Sequence, residues 1–173
     1  MDVRHLFDKL SKWKDVGTWW PGEDPFEIAV GAILTTRTRW ENVRTSISKL
    51  KSAGLLNPKD MKRASREEVE SLIRPCGFYR QKAERLQLMA RFFCDLDGRR
   101  PTREKLLSLK GIGEETADSI LLYSFDVPVF VVDAYTLRLF SRLPIKGDPR
   151  GVETIMAQPR ELKSLHGLIV ELC

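Results

Sequence analysis

An all-α fold is predicted for this chain by three features of its sequence. Apolar residues recur at three- and four-residue spacing almost throughout, no segment sustains a two-residue alternation, and helix-boundary signals fall at short intervals. A length of 173 residues admits one compact domain or two small lobes sharing a core.

The elements follow in order. In MDVRHLFDKLSKWKD charged and apolar residues mix at helical spacing, which predicts a helix over 2–13 and leaves no apolar stretch for a signal peptide. Asp24-Pro25 opens a helix over 25–36, and Gly54 closes another over 40–53. Ser65 with Glu68 three residues later forms a capping box for a helix over 65–73. Gly77 and Gly98 bracket a long helix over 79–96, and Pro101-Thr102 opens one over 102–109. A further helix over 114–124 follows the KGIG turn. VPVFVV at 127–132 alone reads as a strand, but a lone strand cannot satisfy its own backbone, so a buried extended connector is predicted. Helices over 133–142 and 161–172 complete the chain.

The net charge is +5 and the isoelectric point about 9.2, a balance that suits a polyanionic partner. No apolar run approaches the roughly 20 residues of a membrane-spanning helix, and a cytoplasmic, nucleoid-associated location is expected. The three cysteines, Cys76, Cys94 and Cys173, are scattered and odd in number, which favours reduced thiols over a disulfide framework or a metal site.

The turn KGIG joins two helices and calls for backbone that can adopt positive φ and approach a neighbour closely, a need assigned to both Gly111 and Gly113. Amides around Ile112 to Glu114 would then face outward at a helix start, an anion site able to hold one DNA phosphate without reading sequence. Ile112 would plug the gap between the two helices, with Leu109, Ala117, Ile120 and Leu121 as the hairpin interior.

The segments LKGIGEETADSILLYSF and VFVVDAYTLRLFSRL resemble the helix-hairpin-helix (HhH-GPD) DNA glycosylases of the endonuclease III group. In that family an aspartate follows the hairpin at a fixed interval, matched here by Asp133, eighteen positions beyond Glu115. PFEIAVGAILTTRTRWENV and LHGLIVEL extend the resemblance over nearly the whole chain. WWP, LKGIG, the second glutamate after the hairpin, VVD and HGLIVE are most similar to the small MagIII-type 3-methyladenine glycosylases. The fold this implies is two-lobed: a central helical lobe over 23–125 that includes the hairpin at about 102–124, a second lobe from 1–22 and 126–173, and an active-site groove between them. The partner it implies is double-stranded DNA carrying damaged bases, bound by a monomer.

Departures from the family sharpen that expectation. Bifunctional members carry a lysine nucleophile where this chain has Glu115, and a carboxylate cannot form a Schiff base, so a glycosylase without lyase activity is expected. Three cysteines cannot supply the four thiolates of the 4Fe–4S cluster that many relatives hold, so no cluster is expected; a monovalent cation at the hairpin is left open.

The resemblance assigns Asp133 the stabilisation of positive charge on the deoxyribose as the base departs, a role its position at a helix start supports through the dipole. The same position suits a plain N-cap. Trp19, Trp20, Pro21, Trp40 and Glu115 are the candidates for the base pocket, since indole faces and a carboxylate attract a cationic alkylated purine. Lys110, Gly111, Ile112, Gly113, Thr36 and Arg37 are the candidate DNA contacts, with Arg37 as the side chain wedged into the vacancy left by the flipped base. Cations of YRQKAERL and RWENVR could meet phosphates or form a solvated face, and His166 reads as a packed, hydrogen-bonded histidine. Two rivals remain: a uracil or thymine mismatch glycosylase, and a hairpin module that binds DNA without catalysis.

Overall fold

The computed structural model describes all of residues 1–173 and contains helices, turns and loops but no strands. It divides into two compact units, Gly22–Ile120 on one hand and Met1–Pro21 with Leu121–Cys173 on the other. No helix is long and apolar enough to cross a membrane.

The continuous unit is built around α2 (Pro25–Leu34). Asp24 caps this helix by accepting from the Phe26 and Glu27 amides, and Pro25 occupies the first turn, where its missing N–H costs nothing. Apart from Glu27 in its first turn the helix is apolar, and Phe26 together with every residue from 29 to 34 is buried. Around it lie α3 (Trp40–Ser52), α4 (Pro58–Arg63), α5 (Arg66–Leu72), α6 (Tyr79–Leu96), α7 (Arg103–Leu107) and α8 (Glu114–Ser119). The long α6 packs on α2, α4 and α5, and α7 pairs with α8 to form the hairpin. Ser65 and Thr102 cap α5 and α7 from their side chains, as the sequence signals require.

In the discontinuous unit α1 (Val3–Trp13) presents Val3, Leu6 and Leu10 as its buried stripe and packs on the C-terminal helix. The other members are α9 (Ala134–Arg142), α10 (Val152–Ile155) and α11 (Pro159–Leu172). The Met1 ammonium donates to the Pro144 carbonyl at 2.8 Å, and Arg4–Glu161 (2.7 Å) and Lys14–Glu171 ion pairs tie α1 to α11.

Several boundaries differ from those predicted. The helix expected over 25–36 ends at Leu34, and the one expected over 114–124 is α-helical only to Ser119, after which Ile120–Ser124 forms a π turn. Short α4 and α10 were not predicted. The 127–132 connector is unpaired, as expected, with Phe130 and Val131 buried and a tight bond from the Val129 amide to the Val127 carbonyl.

Candidate active site

Asp133 closes the extended connector and caps α9. Its Oδ1 accepts from the Thr136 amide at 2.7 Å, satisfying one of the helix's orphan donors. The carboxylate is 8% exposed. Its Oδ2 lies 3.3 Å from Nε2 of His166, which is buried on α11. The other ring nitrogen, Nδ1, lies 2.7 Å from the Tyr123 hydroxyl, carried in by the π turn.

The protons in this chain can be placed by chemistry. Burial and the Asp133 charge push the Tyr123 phenol far above its ordinary range, so it remains a donor. An ionised carboxylate only accepts. The imidazole therefore gives its Nε2–H to Asp133, while Nδ1 meets the Tyr123 hydroxyl, which also reaches the Lys163 carbonyl at 3.4 Å. Burial alone would raise the Asp133 carboxyl, but the His166 hydrogen bond and charge, with the Thr136 amide, outweigh it and hold the group below its ordinary value.

Aromatic rings enclose these groups. Trp19 meets the His166 ring edge-on at 5.5 Å, and Trp20 lies 4.9 Å from Tyr123 with the planes tilted by 36°. Trp19 anchors its indole N–H on Glu171 at 3.2 Å and rests on Gly167, where a Cβ would fall 2.7 Å from the indole Cγ. Trp19 is half-buried, whereas Trp20 is buried and Pro21 exposed. Asp133, Trp19 and Trp20 are thus gathered in one unit, together with His166 and Tyr123.

The remaining candidates lie in the continuous unit. Gly111 has φ +81°, and a Cβ there would come within 2.3 Å of Arg85 Nε. Gly113 differs from the expectation of positive φ: it is extended (φ −94°, ψ 178°) and caps α8 from its backbone. Ile112 is buried, so the plug is in place. Lys110 pairs with Glu84 at 2.8 Å, and Glu114 leans on Arg103 at 3.5 Å, while Glu115 is exposed. Thr36 donates its hydroxyl to the Ile33 carbonyl, Arg37 is exposed with φ +53°, and Trp40 is half-buried at the first position of α3.

Three residues carry features that their sequence context did not announce. His166 is packed and hydrogen-bonded as read, but its partners, Asp133 and Tyr123, lie far away in sequence. Phe78 is 57% exposed and left-handed at φ +46°, directly after Gly77. Lys82, expected on a phosphate-facing or solvated face, is buried with its ammonium bonded to three carbonyls. That correction has a simple cause: the acceptors are main-chain groups, which no sequence pattern marks.

Residues 30–163 match the model of the HhH-GPD superfamily base excision DNA repair proteins. A Methanocaldococcus jannaschii protein provisionally named a DNA repair glycosylase is 41% identical over 90% of this chain and 79% of its own length. Endonuclease III of Thermotoga maritima is 35% identical over 69% of this chain and 57% of its own. Among solved structures, the H. pylori 3-methyladenine DNA glycosylase MagIII bound to 1,N6-ethenoadenine superposes with a TM-score of 0.85 at 29% identity. That match covers 99% of this chain and 96% of the other.

Proposed function

Because this chain belongs to the HhH-GPD superfamily of base-excision DNA repair proteins, we propose that it is a monofunctional DNA N-glycosylase. Its substrates are flipped alkylated purines such as 3-methyladenine. The observation that carries this reading is a buried carboxylate kept ionised by a hydrogen-bonded histidine, against whose ring an indole packs edge-on.

As the glycosidic bond lengthens, its electron pair leaves with the base and positive charge grows on the sugar. Asp133 supplies a fixed negative charge to that transition state and accepts a proton from the water that adds to C1′. His166 orients Oδ2 through its Nε2–H, and the Tyr123 hydroxyl holds the ring from the Nδ1 side. An N-alkylated purine is cationic in the nucleoside and leaves neutral, so it needs little protonation. Indole faces favour such a cation by about 0.5–2 kcal/mol each. The likeness to a MagIII glycosylase with ethenoadenine bound supports a modified purine as the base.

The hairpin amides hold a phosphate, and the exposed Arg37 and Phe78 tips enter the space the base vacates. Glu115 offers no amine, so no covalent imine forms and the abasic strand stays whole. The three cysteines do not assemble a thiolate ligand set: Cys76 is buried against Ser46, Cys94 is half-buried and Cys173 exposed.

The test is base release from duplexes carrying 3-methyladenine, 7-methylguanine, uracil opposite guanine, or thymine opposite guanine, each scored before and after alkali and with borohydride present. Release confined to methylated purines, nicking only after alkali and no trapped adduct are expected. Release confined to mispaired pyrimidines, nicking without alkali, or binding with no release would each overturn the reading.

A further inference from the structure

Lys82 is 1% exposed, a rare state for a lysine. It sits in the first turn of α6, where the helix dipole opposes a cation, and burial lowers its titration. Its charge is met by carbonyls alone: the ammonium donates to Leu34 O at 2.9 Å, Thr36 O at 2.8 Å and Cys76 O at 2.8 Å. All three of its protons are thereby used. A buried cation on such terms adds little to stability that apolar packing could not supply. What it does uniquely is join two separate chain segments at one point.

Those segments share an unusual property. The chain has four non-glycine residues at positive φ, and two of them, Arg37 and Phe78, directly follow Lys82's acceptor segments. The Thr36 carbonyl belongs to the peptide that leads into Arg37, and the Cys76 carbonyl to the one that leads into Gly77 and Phe78. Left-handed backbone at such residues is strained and persists only where its surroundings enforce it. Both side chains are exposed, so packing of the side chains themselves does not hold the strain. The Leu34 contact adds a cap for the last turn of α2, which has no basic residue of its own.

We infer that Lys82 is a positioning residue whose single buried ammonium fixes the backbone of both exposed tips, so that Arg37 and Phe78 reach the duplex together when a base is turned out. The inference rests on the proposed base-flipping activity and adds the part that aims the tips. Lys82 touches neither DNA nor the reacting atoms.

The experiment compares wild type, Lys82→Met and Lys82→Gln on two duplexes, one with 3-methyladenine opposite thymine and one with it opposite an abasic site. The second needs no pair broken. A 2-aminopurine next to the lesion reports duplex opening independently of base release, and thermal melting reports folding. Lys82→Met is expected to lose about tenfold or more in opening and release on the paired duplex, where a base pair must be broken. On the abasic-faced duplex it is expected to stay within about twofold of wild type. Lys82→Gln, which keeps two donors, should fall between, and it carries the comparison if the methionine variant does not fold. Equal losses on both duplexes, or no loss on either, overturn the inference. Wild-type protein that opens the duplex but releases no base sinks the proposed activity while leaving the inference standing; wild-type protein that does not open the duplex sinks the inference.

Discussion

Asp118 in the hairpin and Asp133 at the head of α9 are buried alike, 7% and 8% exposed, yet they are held in opposite ways. Asp118 meets the Arg103 guanidinium through both oxygens, at 2.6 and 3.0 Å. That bidentate pair is strong, directional and permanently charged, and it pushes Arg103 further above its already high range. Asp133 has one short bond from a backbone amide and a longer one from a histidine. A carboxylate has about four acceptor positions. Asp118 spends its charge inside the fold on a guanidinium, whereas Asp133 keeps spare acceptor capacity. The comparison separates a carboxylate that holds two helices together from one that is available to a reaction, and burial alone does not tell them apart.

The sharpest way to break that comparison is to neutralise each acid in turn. Asp133→Asn retains a good N-cap, so melting should shift by under about 1 kcal/mol. Base release should fall by about 10²–10⁴-fold, the usual worth of a positioned acid–base group. Asp118→Asn should do the reverse. It loses a charge-assisted pair whose arginine is more than a third exposed, so solvent screening limits the cost to about 1–2 kcal/mol. Release rates should stay within a few-fold once the protein is folded. Parallel melting curves and single-turnover assays check both, and an inactive Asp118→Asn with normal melting would erase the distinction.

The two aspartates also differ in how much of their role the sequence discloses. Asp133 follows the hairpin at a recognisable interval and stands at a helix start, so its place was legible in local signals. Helix starts in general were: Asp24-Pro25, Ser65 with Glu68, and Thr102 all cap as their chemistry demands. Helices α4 and α10 were not, because each buries a single residue, Met61 or Val152, too few to set a period. Nothing in composition marks the π turn that delivers Tyr123. His166 and Tyr123 reach Asp133 only through tertiary packing. The burial of Lys82 leaves no mark in the sequence because its partners are carbonyls, which every residue has.

A smaller effect should come from the histidine that supports Asp133. Leucine at 166 removes the only side-chain donor seen on Oδ2 and leaves burial as the dominant influence, so the Asp133 carboxyl must rise. In the wild type its folded value lies below the ordinary 3.8. Its contribution to stability is therefore complete above that value and lost as pH falls through the folded one. The same protonation removes catalysis, so the acid limb of the release profile lies below the ordinary carboxylate value in the wild type and moves upward in His166→Leu. At neutral pH a rate loss of about tenfold is expected, the lower end of a hydrogen bond to a charged group. His166→Gln, which can donate to Oδ2, should restore most of the wild-type profile. An acid limb unmoved by leucine would show that the histidine does not govern the carboxylate.

The hairpin gives the smallest effects and the finest discrimination, because its two glycines are glycine for different reasons. Gly111 is left-handed and crowds Arg85, so alanine there should cost about 1 kcal/mol of stability and displace that arginine. Gly113 is extended, and a Cβ would meet nothing within 4 Å. Alanine at 113 gains a little through the unfolded chain and loses a little as a poorer N-cap, for a net change within about 0.5 kcal/mol. The open space beside it is where a phosphate would approach the backbone amides, and a methyl group there should hold the phosphate off. Gly113→Ala is thus expected to melt like wild type yet bind undamaged duplex several-fold more weakly, by about 1 kcal/mol. Fluorescence anisotropy at fixed salt measures the difference. Unchanged affinity would mean that the hairpin does not carry DNA on its amides, and Gly113 would then be only the first residue of a helix.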